Sequence, residues 1–278
     1  MSGLIVCGDN MGLKTIYEGL VSCFDRIEVY TNTPDVIALR ECDSFINGFD
    51  CSDAQYVLSS GYARLIDEQT LRSKKFLNIH YALLPRFRGM HPVVWGILND
   101  EEFLGWTLHE MDAGMDSGPV IYQYKSPNVP GKTSVDYMHE FHETVTEQIG
   151  PVLLDYIAGT VGSVPQSSEG IVWGVKRNLD DCRIDFSWDI GFLGRIFRAL
   201  VEPYPLPFVE HKGKKLFVKK HELYSAAADV ITRGRVCNID SRGAWVKVSG
   251  GYLVLKEIVD ENGNNVPVDV AFKIGSRL

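Results

Sequence analysis

Residues 76–92 read Phe76-Leu77-Asn78-Ile79-His80-Tyr81-Ala82-Leu83-Leu84-Pro85-Arg86-Phe87-Arg88-Gly89-Met90-His91-Pro92. The apolar opening predicts a buried strand over Phe76–His80, broken by a loop that holds proline, two arginines and glycine. Side chains alternate between the faces of a strand, so Leu77 and Ile79 point one way and Asn78 and His80 the other. An amide and an imidazole side by side at a strand's end can grip a carbonyl oxygen that gains negative charge during acyl transfer. Two polar residues satisfied at a strand edge would show the same spacing.

Downstream, Leu104–Met111 reads as another strand and leads into Asp112-Ala113-Gly114-Met115-Asp116-Ser117-Gly118. The three elements in this order, Asn78-Ile79-His80, then Leu83–Gly89, then Asp116-Ser117-Gly118, resemble the formyltransferases that use 10-formyltetrahydrofolate. That family carries N-x-H, an LLP-x-x-RG loop and a D-x-G or D-G-G turn. The resemblance is strong over about residues 54–126 and weak elsewhere. It implies an α/β fold: a Rossmann-like N-terminal formyltransferase domain, followed by a smaller, mainly β, OB-like C-terminal domain.

The resemblance also implies a site. Asn78, His80 and Asp116 would be catalytic, with Asn78 donating to the anionic oxygen of a tetrahedral intermediate. His80 would donate a second hydrogen bond or hand over a proton. Asp116 would orient His80 or relay the proton lost by the attacking amine; the base that accepts that proton stays open among Asp116, His80 and water. Gly61, Tyr62, Ala63, Arg64, Leu65 and Ile66 resemble the family's pterin-side segment, with Met111, Asp112 and Met115 closing the pocket opposite. Leu65 and Ile66 would suit core packing equally well, and Arg64 an exposed charge. A metal is not expected, because an amide is a poor ligand and only one histidine is present in this set.

The amine acceptor is the open question. Gly8, Asp9, Asn10, Arg86, Arg88, Gly89, His91 and Trp95 are the candidate acceptor-binding residues. Guanidinium forks suit phosphates, although both arginines could be solvated loop charges. Trp95, at helical spacing with Leu98, suits core. Two family branches fit the layout: one formylates an amino sugar carried on a nucleotide diphosphate, the other methionyl-transfer RNA. The chain is compact for the second branch, and Met90-His91 stand where transfer-RNA enzymes usually have small residues before the proline. The formal net charge of −8 offers little to a polyanion. The cluster Lys212, Lys214, Lys215, Lys219 and Lys220 cuts the other way, though lysines also keep an exposed sheet edge soluble. The expectation is therefore a cytoplasmic enzyme formylating a dTDP- or GDP-linked amino-deoxysugar for surface polysaccharide biosynthesis. Nucleic acid and membrane are not expected partners, and a homodimer fits that class. The alternatives are methionyl-tRNA formyltransferase and a folate-binding module without chemistry.

The rest of the chain agrees with this organisation. Its 278 residues exceed the usual single-domain size. Leu4–Cys7, the turn Gly8–Gly12 and a helix to about Cys23 open a Rossmann-like sheet, but Gly8 and Gly12 do not make a dinucleotide fingerprint. Arg26–Tyr30 and Gln55–Ser59 read as strands, with a short helix and loops between them. Asp67 suits a helix cap, Pro92–Leu98 a short helix and Val120–Tyr124 a strand. A long helix is predicted from Ser134 to Ile157, where His139 and His142, three apart, suit a solvated face better than a metal site. No G-x-S-x-G elbow surrounds Ser59 or Ser60, which disfavours a serine hydrolase. Six cysteines without a CxxC pair read as reduced thiols. The expected domains are 1–175 for catalysis, 176–205 as linker and connecting helix, and 206–278 as the small β domain built of short strands.

Overall fold

The computed structural model describes residues 3–62, 64–226 and 232–278. The chain divides into two compact units: Met1–Gly96 with Glu101–Val129 and Asp136–Lys176, and Ile97–Asp100 with Pro130–Val135 and Arg177–Leu278. Through residue 176 the strands are β1 (Leu4–Gly8), β2 (Ile27–Tyr30), β3 (Ser44–Phe45), β4 (Tyr56–Ser60), β5 (Lys75–His80), β6 (Arg88–Gly89), β7 (Phe103–Glu110), β8 (Val120–Pro127) and β9 (Trp173–Gly174). The helices are α1 (Asn10–Leu20), α2 (Glu68–Ser73), α3 (Pro92–Leu98) and α4 (Ser134–Ile157).

Seven of these strands form one sheet in the order β3-β2-β1-β4-β5-β7-β8. Pairing is parallel as far as β5 and antiparallel beyond it. The strand Leu-Ile-Val-Cys-Gly of β1 is buried at every position, as a strand covered on both faces must be. Helix α4 covers the sheet with Tyr137, Phe141, Val145, Ile149 and Leu153, all fully buried and spaced four apart on one stripe. Its His139 is exposed. His142, in contrast, turns inward at the edge of the stripe and bonds Thr15 Oγ1 at 2.7 Å and Tyr81 Oη at 3.2 Å. The solvated face expected for that pair therefore holds for one of the two.

Strand order reverses between β1 and β4, and there the loops leaving the carboxyl ends of parallel strands open a crevice. The register keeps those ends level: Gly8 pairs with Ser60, and Ser60 with Ile79. The segment 31–53 holds two single 3-10 turns, Pro34–Val36 and Phe49–Cys51, and the short β3. Asp67 caps α2 by accepting from the Thr70 N–H at 2.9 Å.

The second unit holds α5 (Ile190–Ala199), β10 (Phe208–His211), β11 (Lys214–Ser225), β12 (Val236–Asp240), β13 (Gly243–Val248), β14 (Gly251–Val259), β15 (Asn265–Val266) and α6 (Val268–Ala271). Its strands make an antiparallel sheet in the order β10-β11-β14-β13-β12, with β15 added to β14. Strand β11 runs well past the expected Lys215–Lys219. A register shift at Val218–Lys220 leaves Lys219 and Lys220 both exposed, which breaks the alternation that would have revealed the remainder. Helix α5, capped by Asp189 through the Phe192 N–H at 2.8 Å, buries Leu193, Ile196 and Phe197. Leu193 and Phe197 join Val209, Leu216, Val246 and Leu253 in this unit's core.

Candidate active site

The site is built on two antiparallel neighbours, β5 and β7, whose register sets Asn78 opposite His109 and His80 opposite Thr107. Asn78 Nδ2 lies 3.2 Å from His109 Nε2. His80 is 7% exposed, and its Nε2 lies 2.8 Å from the Phe87 carbonyl oxygen. A carbonyl can only accept, so His80 carries its proton on Nε2 and, when neutral, presents a bare Nδ1. That Nδ1 is 3.6 Å from Oδ2 of Asp116. Oδ1 of Asp116 is 3.7 Å from His109 Nε2. One carboxylate thus stands between two imidazoles, with the amide of Asn78 alongside.

Asp116 reaches this place from the turn after β7. The turn is braced by Asp112, whose Oδ1 accepts from the Gly114 N–H at 3.0 Å and the Ser117 hydroxyl at 2.7 Å. Asp116 itself is left-handed, φ +49°, a conformation that aspartate tolerates better than most residues. Its Oδ2 accepts from the Gly89 N–H at 2.8 Å. Gln166 holds the same turn from outside, donating to the Asp116 and Gly118 carbonyls at 2.8 Å each, while its Oε1 accepts from Arg88 Nη2 at 2.7 Å.

The other candidate residues fall into distinct environments. Arg88 is buried, and on β6 it pairs with Trp173 of β9, the guanidinium carbon lying 5.6 Å from the indole. Arg86 forms a two-pronged ion pair with Glu101, Nε to Oε2 at 2.9 Å and Nη2 to Oε1. Trp95 gives its ring N–H to the Val175 carbonyl at 2.9 Å, and His91 occupies a left-handed turn, φ +55°. In the Gly8-Asp9-Asn10 loop, Asp9 Oδ1 accepts from the Asn32 N–H at 2.9 Å, and the Asn10 N–H donates to Thr33 Oγ1 at 2.8 Å.

After β4, Tyr62 and Ile66 pack with Met111 against Ile5, Cys7 and Phe76. Burial, aided by a bond to Tyr30, pushes the Tyr62 phenol up to about 12. Leu65 is 97% exposed and Met115 55%, so core packing does not account for Leu65. Gly61 is left-handed, φ +69°, and Arg64 is exposed. Ala63 lies outside the described residues. Among the described residues no group of three or more His, Cys, Asp and Glu side chains could hold a metal ion. Nor is any helix of the described residues long and apolar enough to cross a membrane.

Sequence reasoning missed His109, Gln166 and Trp173. His109 has a signal: Thr107 and His109 alternate with apolar neighbours as Asn78 and His80 do, so pairing the two strands sets four polar residues on one face. Gln166 and Trp173 lie in a stretch without periodicity.

At one end of this α/β sheet an amide, an imidazole and a carboxylate meet, groups that acyl transfer can use. The chain belongs to the formyl transferase family: its "Formyl transferase" profile matches residues 40–153, and the "Formyl transferase, C-terminal domain" profile matches 177–274. Methionyl-tRNA formyltransferase of Myxococcus xanthus is 30% identical over 221 residues, 79% of this chain and 69% of that protein. Among solved structures, an N-formyltransferase from Helicobacter canadensis, in complex with folinic acid and dTDP-3-aminofucose, superposes with a TM-score of 0.71 at 18% identity. It covers 92% of this chain and 99% of that one. HypX from Aquifex aeolicus in complex with tetrahydrofolic acid gives 0.69 at 18% identity, over 96% of this chain but 46% of its own. Formyl transfer is thus the chemistry of this fold and family.

Proposed function

We propose that the chain transfers a formyl group from 10-formyltetrahydrofolate to the amine of a nucleotide-linked amino-deoxysugar, dTDP- or GDP-type. The observation that carries the reading is the convergence of Asn78, His80 and Asp116, with the carboxylate 3.6 Å from the His80 imidazole. The Helicobacter structure holds a folate and a dTDP-amino sugar and matches over nearly its whole length, which supports both ligands. For the donor's ring, exposed Leu65 and Met115, partly buried Tyr62, Ile66 and Met111, and the left-handed backbone at Gly61 offer the apolar surface and main-chain groups this reading calls for. When bound, the folate supplies an activated one-carbon unit.

In this reading Asn78 donates to the oxygen that becomes anionic as the amine attacks. His80, whose Nε2–H is held by the Phe87 carbonyl, acts once Nδ1 has taken up a proton, donating it beside the oxyanion or delivering it to the departing nitrogen. Asp116, fixed by the Gly89 N–H, accepts the proton released by the attacking amine or orients His80. Gly8–Asn10, Gly89 and His91 line the approach for the acceptor, with Arg88, buried and bonded to Gln166, behind them. Arg86 and Trp95 are engaged within the protein and support that wall.

Methionyl-transfer RNA is the second reading, favoured by the names of the sequence relatives and by exposed Lys212, Lys214, Lys219 and Lys220. Lys220 is already paired with Glu257 at 2.5 Å, and a net charge of −8 opposes RNA. The test is incubation with 10-formyltetrahydrofolate and either a panel of amino-sugar nucleotides or charged initiator transfer RNA, following tetrahydrofolate release. Release with a sugar nucleotide supports the first reading; release with transfer RNA alone replaces it. H80A and D116A should abolish turnover in folded protein.

A further inference from the structure

His109 is 1% exposed and has no role in the chemistry outlined above, yet it touches two of the three groups that do. Its contacts determine its protonation. Nδ1 lies 2.8 Å from the carbonyl oxygen of Glu110; a carbonyl only accepts, so Nδ1 bears hydrogen. In the neutral ring Nε2 is then bare, and it lies 3.2 Å from the Asn78 amide. The species this contact calls for is a neutral Nδ1–H imidazole. The pairing of β7 with β8 shifts register between Leu108 and His109, an irregularity of the kind that re-aims a side chain beside a site.

The Asn78 amide could stand in two orientations differing by a half-turn, one with Nδ2 toward β7 and one with Oδ1 there. A bare Nε2 selects the first, because it repels an amide oxygen and accepts from an amide N–H. One N–H of Asn78 is then committed to His109, and the other is held in a fixed direction.

We propose that His109 is a positioning residue for formyl transfer: its neutral imidazole locks the Asn78 amide so that the second N–H stands ready for the developing oxyanion. This rests on the reading of Asn78 as the oxyanion donor. Preorganisation of this kind raises turnover without changing ground-state affinity, since a donor fixed in advance needs no reorganisation in the transition state. Oδ1 of Asp116, 3.7 Å from the same Nε2, gains nothing from a bare lone pair while ionised. Burial, the largest influence, pushes the imidazole down to about 4, with His80 lowering it further and Asp116 and Asp112 opposing. Across the neutral range it therefore keeps the form that the contacts require.

The test uses the full chain, with N78A, H109F, H109Q and the N78A/H109F double variant assayed beside wild type. Phenylalanine removes the acceptor; glutamine restores one through Oε1. The expected results are a kcat lower by about tenfold in H109F with both KM values within twofold, and recovery of most of it in H109Q. N78A should lose about a hundred- to a thousandfold, and the double variant no more than N78A, because the two act as one unit. Nitrogen-15 NMR of the wild-type imidazoles, with His109 assigned by its absence in H109F, should show the Nδ1–H tautomer from pH 8 to pH 5. An Nε2–H tautomer, a protonated ring in that range, or normal kcat in H109F beside an inactive N78A overturns the role of His109 alone. Full activity in N78A overturns the reading of Asn78 on which it stands.

Discussion

The backbone N–H of Gly89 donates to Oδ2 of Asp116 at 2.8 Å, so the position of the carboxylate depends on a main-chain group in a two-residue strand. Gly89 has φ +99°, and a Cβ there would stand 2.5 Å from the Gly174 carbonyl oxygen and 3.2 Å from the Met115 sulfur. The G89A variant must open the β6–β9 ribbon or twist its own backbone, at a cost of about 1–3 kcal/mol. The expected outcome is a lower melting temperature together with a kcat reduced about tenfold, measured by thermal unfolding and steady-state kinetics. A lower melting temperature with normal kcat would mean that Asp116 does not need this tether.

Arg86 and Arg88 are two residues apart but serve different ends. Arg86 is half-exposed and occupied by Glu101 through two prongs, an arrangement suited to holding a loop. A partly exposed pair of this kind contributes up to about 1 kcal/mol. R86A should thus lower stability slightly and leave the acceptor KM within twofold of wild type. A KM increased tenfold would place Arg86 among the acceptor's partners.

Gln166 lies in a stretch without periodicity, yet one amide side chain joins Arg88 to the Asp116 turn. Replacing it with alanine leaves two carbonyls and a buried guanidinium each short of a partner. The expected destabilisation is about 2–4 kcal/mol, read as a shift in the urea midpoint, with kcat falling as the Asp116 turn loosens. A variant with normal midpoint and kcat would show that water replaces the amide without loss.

The contrast between Gln166 and Asn78 explains what a single sequence can reveal. Asn78 and His80 share a face because a strand's two-residue period converts spacing into shared direction, whereas Asp116 was reached only through the resemblance to the formyltransferases. Helix α4 was legible through its apolar repeat, which fixed both ends. His109 required knowing that β5 and β7 are antiparallel neighbours, a non-local fact that each strand's own pattern does not carry. Gln166 and Trp173 act through pairings with residues far away in the chain, at positions without periodicity. The two-residue β9 is too short to produce any pattern.

Acid stability provides the last test, because three imidazoles are held below their ordinary range. Burial pushes His142 down to about 4, aided by nearby His139. It does the same to His221, stacked on Phe197 with centroids 3.6 Å apart and opposed only by Glu222, and to His109. An unfolded imidazole takes up its proton near 6.5, whereas these native rings refuse it until about pH 4. Between those values the unfolded chain binds more protons than the native one, so stability falls as pH drops from 6.5 towards 4. Below 4 these rings add no further loss, and Asp43 takes over. Its carboxylate, held at about 2 by bonds from Arg40, Tyr17 and the Ile27 N–H that outweigh burial, loses its contribution as it protonates. Urea unfolding at pH 8, 6 and 5 should show a declining midpoint. Calorimetry in buffers of different ionisation enthalpy should find these rings contributing up to about three of the protons taken up per chain unfolded at pH 5. H142F and H221F should each remove one proton from that count. A midpoint unchanged from pH 7 to pH 5 would mean that these rings are already charged in the native protein.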